Sequence, residues 1–153
     1  MTYAKGMLAG FIATLVLSLI MLGKGAIGLM PQLDVIGALS GLLGSESRAV
    51  GWIAHFVLGT VPWGIAFVLI ERKLPGGCAM RGVLFGGLAW VAMMVIFMPL
   101  IGAGLFANQL GWAVWAVTLV LHVIYGWVLG FTYGWLTGTV GDYPPAREEP
   151  ARR

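Results

Sequence analysis

GWAVWAVTLVLHVIYGWVLGFTYGWLT, residues 111–137, runs without a single formal charge. As a helix rising 1.5 Å per residue it measures about 40 Å, more than the roughly 30 Å hydrocarbon core of a bilayer. It is too long and too continuous for a barrel strand. The stretch therefore reads as a transmembrane helix. Three further stretches share its character, at about 6–30, 49–70 and 82–107. The expected fold is all-α: an integral membrane four-helix transmembrane bundle occupying residues 1–141. The remainder, 142–153, is Pro-rich and charged and is expected to be a disordered cytoplasmic tail.

Composition agrees with the lipid bilayer as the solvent. Of 153 residues, 59% are hydrophobic and 10% are charged, whereas a soluble domain carries about a quarter charged residues. Twenty-four glycines and seven tryptophans suit helix packing in lipid and anchoring at its interfaces. A net charge of +3 spread over helix ends is no nucleic-acid signature. The single Cys78 permits no internal disulfide. Lys5 followed by GMLAGFIATLVLSLIMLG resembles a secretory leader, but the apolar run is long and no small-residue cleavage site follows, so it reads as a retained helix.

Basic residues set the expected orientation. Lys5, the loop bearing Arg72, Lys73 and Arg81, and the tail bearing Arg147, Arg152 and Arg153 place both termini in the cytoplasm, which implies the inner (cytoplasmic) membrane. Lys24 would snorkel to the outer boundary. In the outer loop 31–48, Val35, Ile36, Leu39, Leu42 and Leu43 suit a short interfacial helix with Asp34 as its N-cap. Pro62 and Pro99 are expected to kink the second and third spans.

The two halves resemble each other. KGMLAGF at 5–11 recurs as RGVLFGG at 81–87, and HFVLG at 55–59 recurs as HVIYG at 122–126. A duplicated two-helix unit gives two parallel repeats. His55 and His122, the only histidines, then lie at one depth near the outer boundary, on helices that oppose each other diagonally in an up-down bundle. Below His122 runs a ridge of Gly126, Gly130, Gly134 and Gly138. Small rows also mark the first span (Gly6, Gly10, Thr14, Ser18) and the third (Gly82, Gly86, then Trp90). Such rows serve close helix packing, or leave a groove for a flat cofactor.

The sharpest expectation for the site is one haem b with His55 and His122 as axial metal ligands and Gly59, Gly126 and Gly130 admitting the macrocycle. The placement resembles the transmembrane cytochromes b, although those carry two ligands per helix and this chain carries one. Two lesser alternatives are copper(I) with Met21, Met93, Met94 and Met98, and a quinone or lipid held by a histidine with Trp112, Trp115, Asn108 and Gln109. The plain alternative is an imidazole bonded to water or to a backbone carbonyl. No catalytic constellation is visible, since Asp34, Glu46 and Glu71 fall at helix ends or in loops.

With the four spans, the K/R-G-x-L repeat and the H-x-x-x-G pair in view, residues 3–138 resemble small four-helix inner-membrane proteins of bacteria and archaea grouped as domains of unknown function, loosely YagU-like. The resemblance implies a compact inner-membrane bundle and carries no activity. The expected function is a non-catalytic accessory or electron-transfer subunit of a respiratory or other redox membrane complex. Its partners would be other membrane subunits, or a second copy packed through glycine-rich faces, and not nucleic acid. The alternatives are a homo-oligomeric transporter or channel with His55, His122, Thr14, Ser18, Thr60, Thr118 and Thr132 as its polar path, or a purely structural subunit.

Overall fold

The computed structural model describes residues 2–28 and 33–140, all of them in helices, turns or loops. Four helical segments are long and apolar enough to cross a membrane: Thr2–Ala26, Arg48–Lys73, Cys78–Leu100 and Trp112–Thr137. The chain is a multi-pass membrane protein. The tail 142–153 and residues 29–32, part of the loop expected on the outer side, lie outside the described residues.

Helix α1 (Thr2–Ala26) forms the first span. A short helix α2 (Val35–Leu42) follows, and Asp34 caps it as its position suggests: the carboxylate accepts from the Gly37 amide at 3.0 Å. The same carboxylate accepts from both terminal guanidinium nitrogens of Arg48, at 2.6 and 3.2 Å. Ser40 donates to the Ser47 carbonyl at 2.9 Å. These bonds fold α2 back onto α3 (Arg48–Thr60), where a side chain on Gly51 would strike the Ile36 carbonyl.

The second span is broken where proline predicts. Helix α3 ends at Thr60 and α4 (Pro62–Ile70) restarts at the proline, followed by a 3₁₀ turn at Glu71–Lys73. Pro62 lacks the N–H that would continue the ladder. Beside the break, the Gly59 carbonyl accepts the Tyr125 hydroxyl from across the bundle at 2.7 Å. The third span also departs from a regular helix. Helix α5 (Cys78–Ala92) widens into a π turn at Met93–Phe97 before α6 (Met98–Leu100). The wider turn accommodates the Pro99 ring, which in an α-helix would meet the carbonyl four residues earlier.

The third span stops at Leu100, where hydropathy alone carries it to about residue 107. Residues 101–111 instead make a tight connection. Gly102, Gly104 and Gly111 take positive φ, and so do Phe106 (52°) and Ala107 (51°). Helix α7 (Trp112–Thr137) is the last span. Gly138 ends it in the left-handed region (φ 76°), with the Thr139 amide returning to the Gly134 carbonyl at 2.8 Å.

Two glycine seams join the spans in pairs. In the first, Gly6 lies against Gly64, and Gly10 and Thr14 lie against Gly59, locking α1 to the second span. In the second, Gly82 lies against Gly126 and Gly130, and Gly86 against the His122 carbonyl and Gly126, locking α5 to α7. Between the pairs, Ala9 and Ala13 of α1 meet Phe67, Phe85, Tyr125, Leu129 and Tyr133. Phe67 makes edge contacts with both Phe85 (5.3 Å) and Tyr133 (5.4 Å). At one end of the bundle the Lys5 ammonium donates to the Leu136 carbonyl (2.7 Å), and buried Glu71 pairs with Arg81 at 2.9 Å.

Two measurements check this account. A Gly82→Val side chain would meet the Gly126 carbonyl and the Gly130 backbone, which cannot yield as a side-chain end can. It should cost about 1–3 kcal/mol, read as a lowered melting temperature in detergent, while Gly87→Val, which meets nothing within 4 Å, leaves the melt unchanged. The second concerns α2. The Arg48 guanidinium holds the Asp34 carboxyl below the usual carboxylate range. The pair's contribution is therefore fully present above that range and is lost as pH falls through the lowered value. Amide exchange in residues 35–42 should accelerate below about pH 4, and Asp34→Asn should show the faster exchange already at neutral pH.

Candidate functional site

His55 lies on α3 between Gly51 and Gly59, the two residues of its ridge that press on α2 and on Thr14 of α1. Its ring meets Trp52 and Phe56 edge-on, at 5.9 Å each. Its Nε2 is buried and has no hydrogen-bond partner among the described residues.

His122 has a different setting. Its Nδ1 lies 2.8 Å from the Thr118 carbonyl, one turn earlier on α7. A carbonyl can only accept, so Nδ1 carries the proton and Nε2 of the neutral ring presents a lone pair. The Thr118 hydroxyl stands within reach of the Val114 and Trp115 carbonyls, at 2.8 and 3.0 Å, and accepts from the Trp90 indole N–H at 3.1 Å. Trp90 meets Phe106 (5.9 Å) and Trp115 (6.4 Å) in tilted or edge-on contacts. Three spaced elements, α5, the 101–111 connection and α7, thus deliver Trp90, Phe106, Trp115, Thr118 and His122 to one region of the bundle. Composition marks Trp115 and Thr118, whereas the role of Trp90 is hidden. Its signal is its place one turn above Gly86 on the packing row.

The glycines expected to admit a haem are filled by neighbouring helices. Gly59 is taken up by Thr14, Gly126 by Gly82 and Gly86, and Gly130 by Cys78 and Gly82. The ridge that carries His55 packs on α1 and α2, and the ridge that carries His122 packs on α5. The two imidazoles belong to separate seams, so the residues present do not fit a macrocycle held between them.

Three of the four methionines named for copper, Met93, Met94 and Met98, belong to an apolar packing cluster. Met94 and Met98 are fully buried in an apolar cluster with Leu33, Ala103, Ala107 and Val114. Among the described residues no group of three or more His, Cys, Asp or Glu side chains is placed to hold a metal. Gln109 faces a cleft of about 590 Å³ between α2 and the 101–110 connection, walled by Val35, Leu42, Ile101 and Leu110 with Asp34 at its edge. Asn108 sits against Gly104. Trp112 is 74% exposed, as suits an interfacial anchor. The hydroxyls proposed for a polar path turn inward on their own helices: Thr14 to Gly10 (2.7 Å), Ser18 to Thr14 (2.7 Å) and Thr118 to Val114. Thr60 is half-buried, its buried hydroxyl oxygen without a partner among the described residues, and Thr132 is buried.

Comparison with the curated proteins and with the solved structures returned no match. One family model matches, over residues 1–142, which is nearly the whole chain. The four-span bundle described above is thus the body of a member of a family of unknown function, DUF6789, to which this chain belongs.

Proposed function

We propose that this chain is a small accessory subunit of a redox complex in the cytoplasmic membrane. It contributes helices and a binding face rather than bond-making chemistry. One observation carries the proposal. Trp127 and Phe131 stack at 5.6 Å with an interplanar angle of 11°, and both look outward, 50% and 45% exposed. Trp127 stands ten residues before the end of α7, about 15 Å from that end and hence near mid-membrane. Tryptophan favours the interfaces over the bilayer centre. An aromatic ridge at mid-depth has the chemistry of the anchors that partner surfaces cover.

The gathering of Lys5, Arg72, Lys73 and Arg81 at one end of the bundle supports cytoplasmic termini. The recurrence of the same glycine contacts in each hairpin supports two parallel repeats. The imidazole–indole region around His122 supports a redox setting, without a haem between His55 and His122. The homo-oligomeric transporter is the second reading. The inward-bonded Thr14, Ser18 and Thr118 supply little of a conduction path.

Affinity purification from native membranes in mild detergent tests the proposal. The wild type should retain a stoichiometric membrane partner. The Trp127→Ala, Phe131→Ala double variant should lose it, with its melting temperature held within a few degrees. Purification as a homo-oligomer alone would favour the transporter instead.

A further inference from the structure

We infer that the outer half of α5 and α7 binds the reduced, hydroxyl-bearing ring of a membrane-soluble amphiphile, a hydroquinone in chemical class, with the His122 Nε2 lone pair accepting its O–H. This deepens the accessory-subunit reading and rests on it only in requiring a membrane-embedded bundle.

The bond from Nδ1 to the Thr118 carbonyl leaves His122 with an acceptor at Nε2 and no second donor. No hydrogen bond to that nitrogen is found among the described residues, and His122 is partly exposed. It stands fifteen residues before the end of α7, about 22 Å along the span and thus in the outer third of the core. Water is scarce there, so a ligand hydroxyl is the natural complement of the lone pair. A quinone, whose oxygens only accept, offers nothing to it.

The surroundings select a ring. Trp90, Phe106 and Trp115 form a contiguous aromatic surface. Phe106 is 41% exposed and Trp115 40% exposed, so two of these rings are accessible from outside the bundle. Trp90 is held in place because its indole N–H is already spent on Thr118. The wall is therefore apolar toward a ligand, and His122 supplies the directional contact. Thr118 sets both groups at once, by its carbonyl to the imidazole and its hydroxyl to the indole. It is a positioning residue.

The test uses the purified chain in lipid nanodiscs, titrated with decyl-benzohydroquinone, with the oxidised decyl-benzoquinone and with dodecanol. The hydroquinone should bind saturably and about tenfold more tightly than the quinone, the scale of one hydrogen bond. Dodecanol, which has the hydroxyl and no ring, should bind more weakly than the hydroquinone. His122→Phe should erase the preference for hydroquinone, and His55→Phe should leave it intact. A ¹⁵N shift of His122 Nε2 on addition of the hydroquinone to the wild type gives a readout that needs no variant. Equal affinity for the two oxidation states, a preference that survives His122→Phe, an unmoved ¹⁵N resonance, or dodecanol binding as tightly as the hydroquinone would each overturn the assignment. Partner capture is scored separately, so loss of the partner with hydroquinone binding retained counts against the subunit reading alone.

Discussion

Backbone lies directly on backbone at the two glycine seams, and the rest of the bundle depends on that approach. Lipid tails are as apolar as the side chains, so helices in a bilayer gain little by hiding leucine from it. What they gain comes from close van der Waals packing and from weak contacts between Cα hydrogens and carbonyls. Such contacts exist only where no Cβ intervenes. Gly82 on Gly126 and Gly130, and Gly6 on Gly64, meet that condition. A single methyl group at Gly82 would have to displace a carbonyl oxygen of the neighbouring helix.

The seams also decide what the histidines can do. Glycine beneath an imidazole has two meanings in sequence: room for a ring face, or room for another helix. Here the neighbouring helix takes the space at Gly59, Gly126 and Gly130. The same contact fixes the rotation of α7, because Gly86 rests on the His122 carbonyl. With that rotation set, the ring turns back toward the preceding turn, as long helical side chains do, and meets the Thr118 carbonyl. The packing that leaves no room for a macrocycle therefore produces a fixed tautomer.

Much of the architecture was legible in residue order. The uncharged run at 111–137 marks a span by length alone, Asp34 caps α2, and Pro62 breaks the second span. Each of these follows from local chemistry: an absent charge, a carboxylate beside free amides, a missing N–H. The C-terminal end of the third span was not legible. Residues 101–107 are as apolar as the span before them, and the turn there is made by backbone angles at Gly102, Gly104, Phe106 and Ala107. Hydropathy carries no record of φ. The grouping of Trp90 with Thr118 was equally hidden, because it depends on the rotation of two helices about their seam.

The two H-x-x-x-G stretches show how one motif can carry two outcomes. Downstream they match, with Gly59 and Gly126 each in a seam. Four residues upstream they differ. His55 has Gly51, whose bare backbone is spent on admitting α2. His122 has Thr118, whose carbonyl holds the imidazole and whose hydroxyl holds Trp90. Glycine at that position makes room for chain, whereas threonine organises side chains. The Pro62 break adds to the contrast, since its neighbouring Gly59 carbonyl draws the Tyr125 hydroxyl and ties the His55 ridge to structural duty. One upstream position, Gly51 or Thr118, thus separates a histidine set among helix-packing contacts from one whose proton is held by a backbone carbonyl.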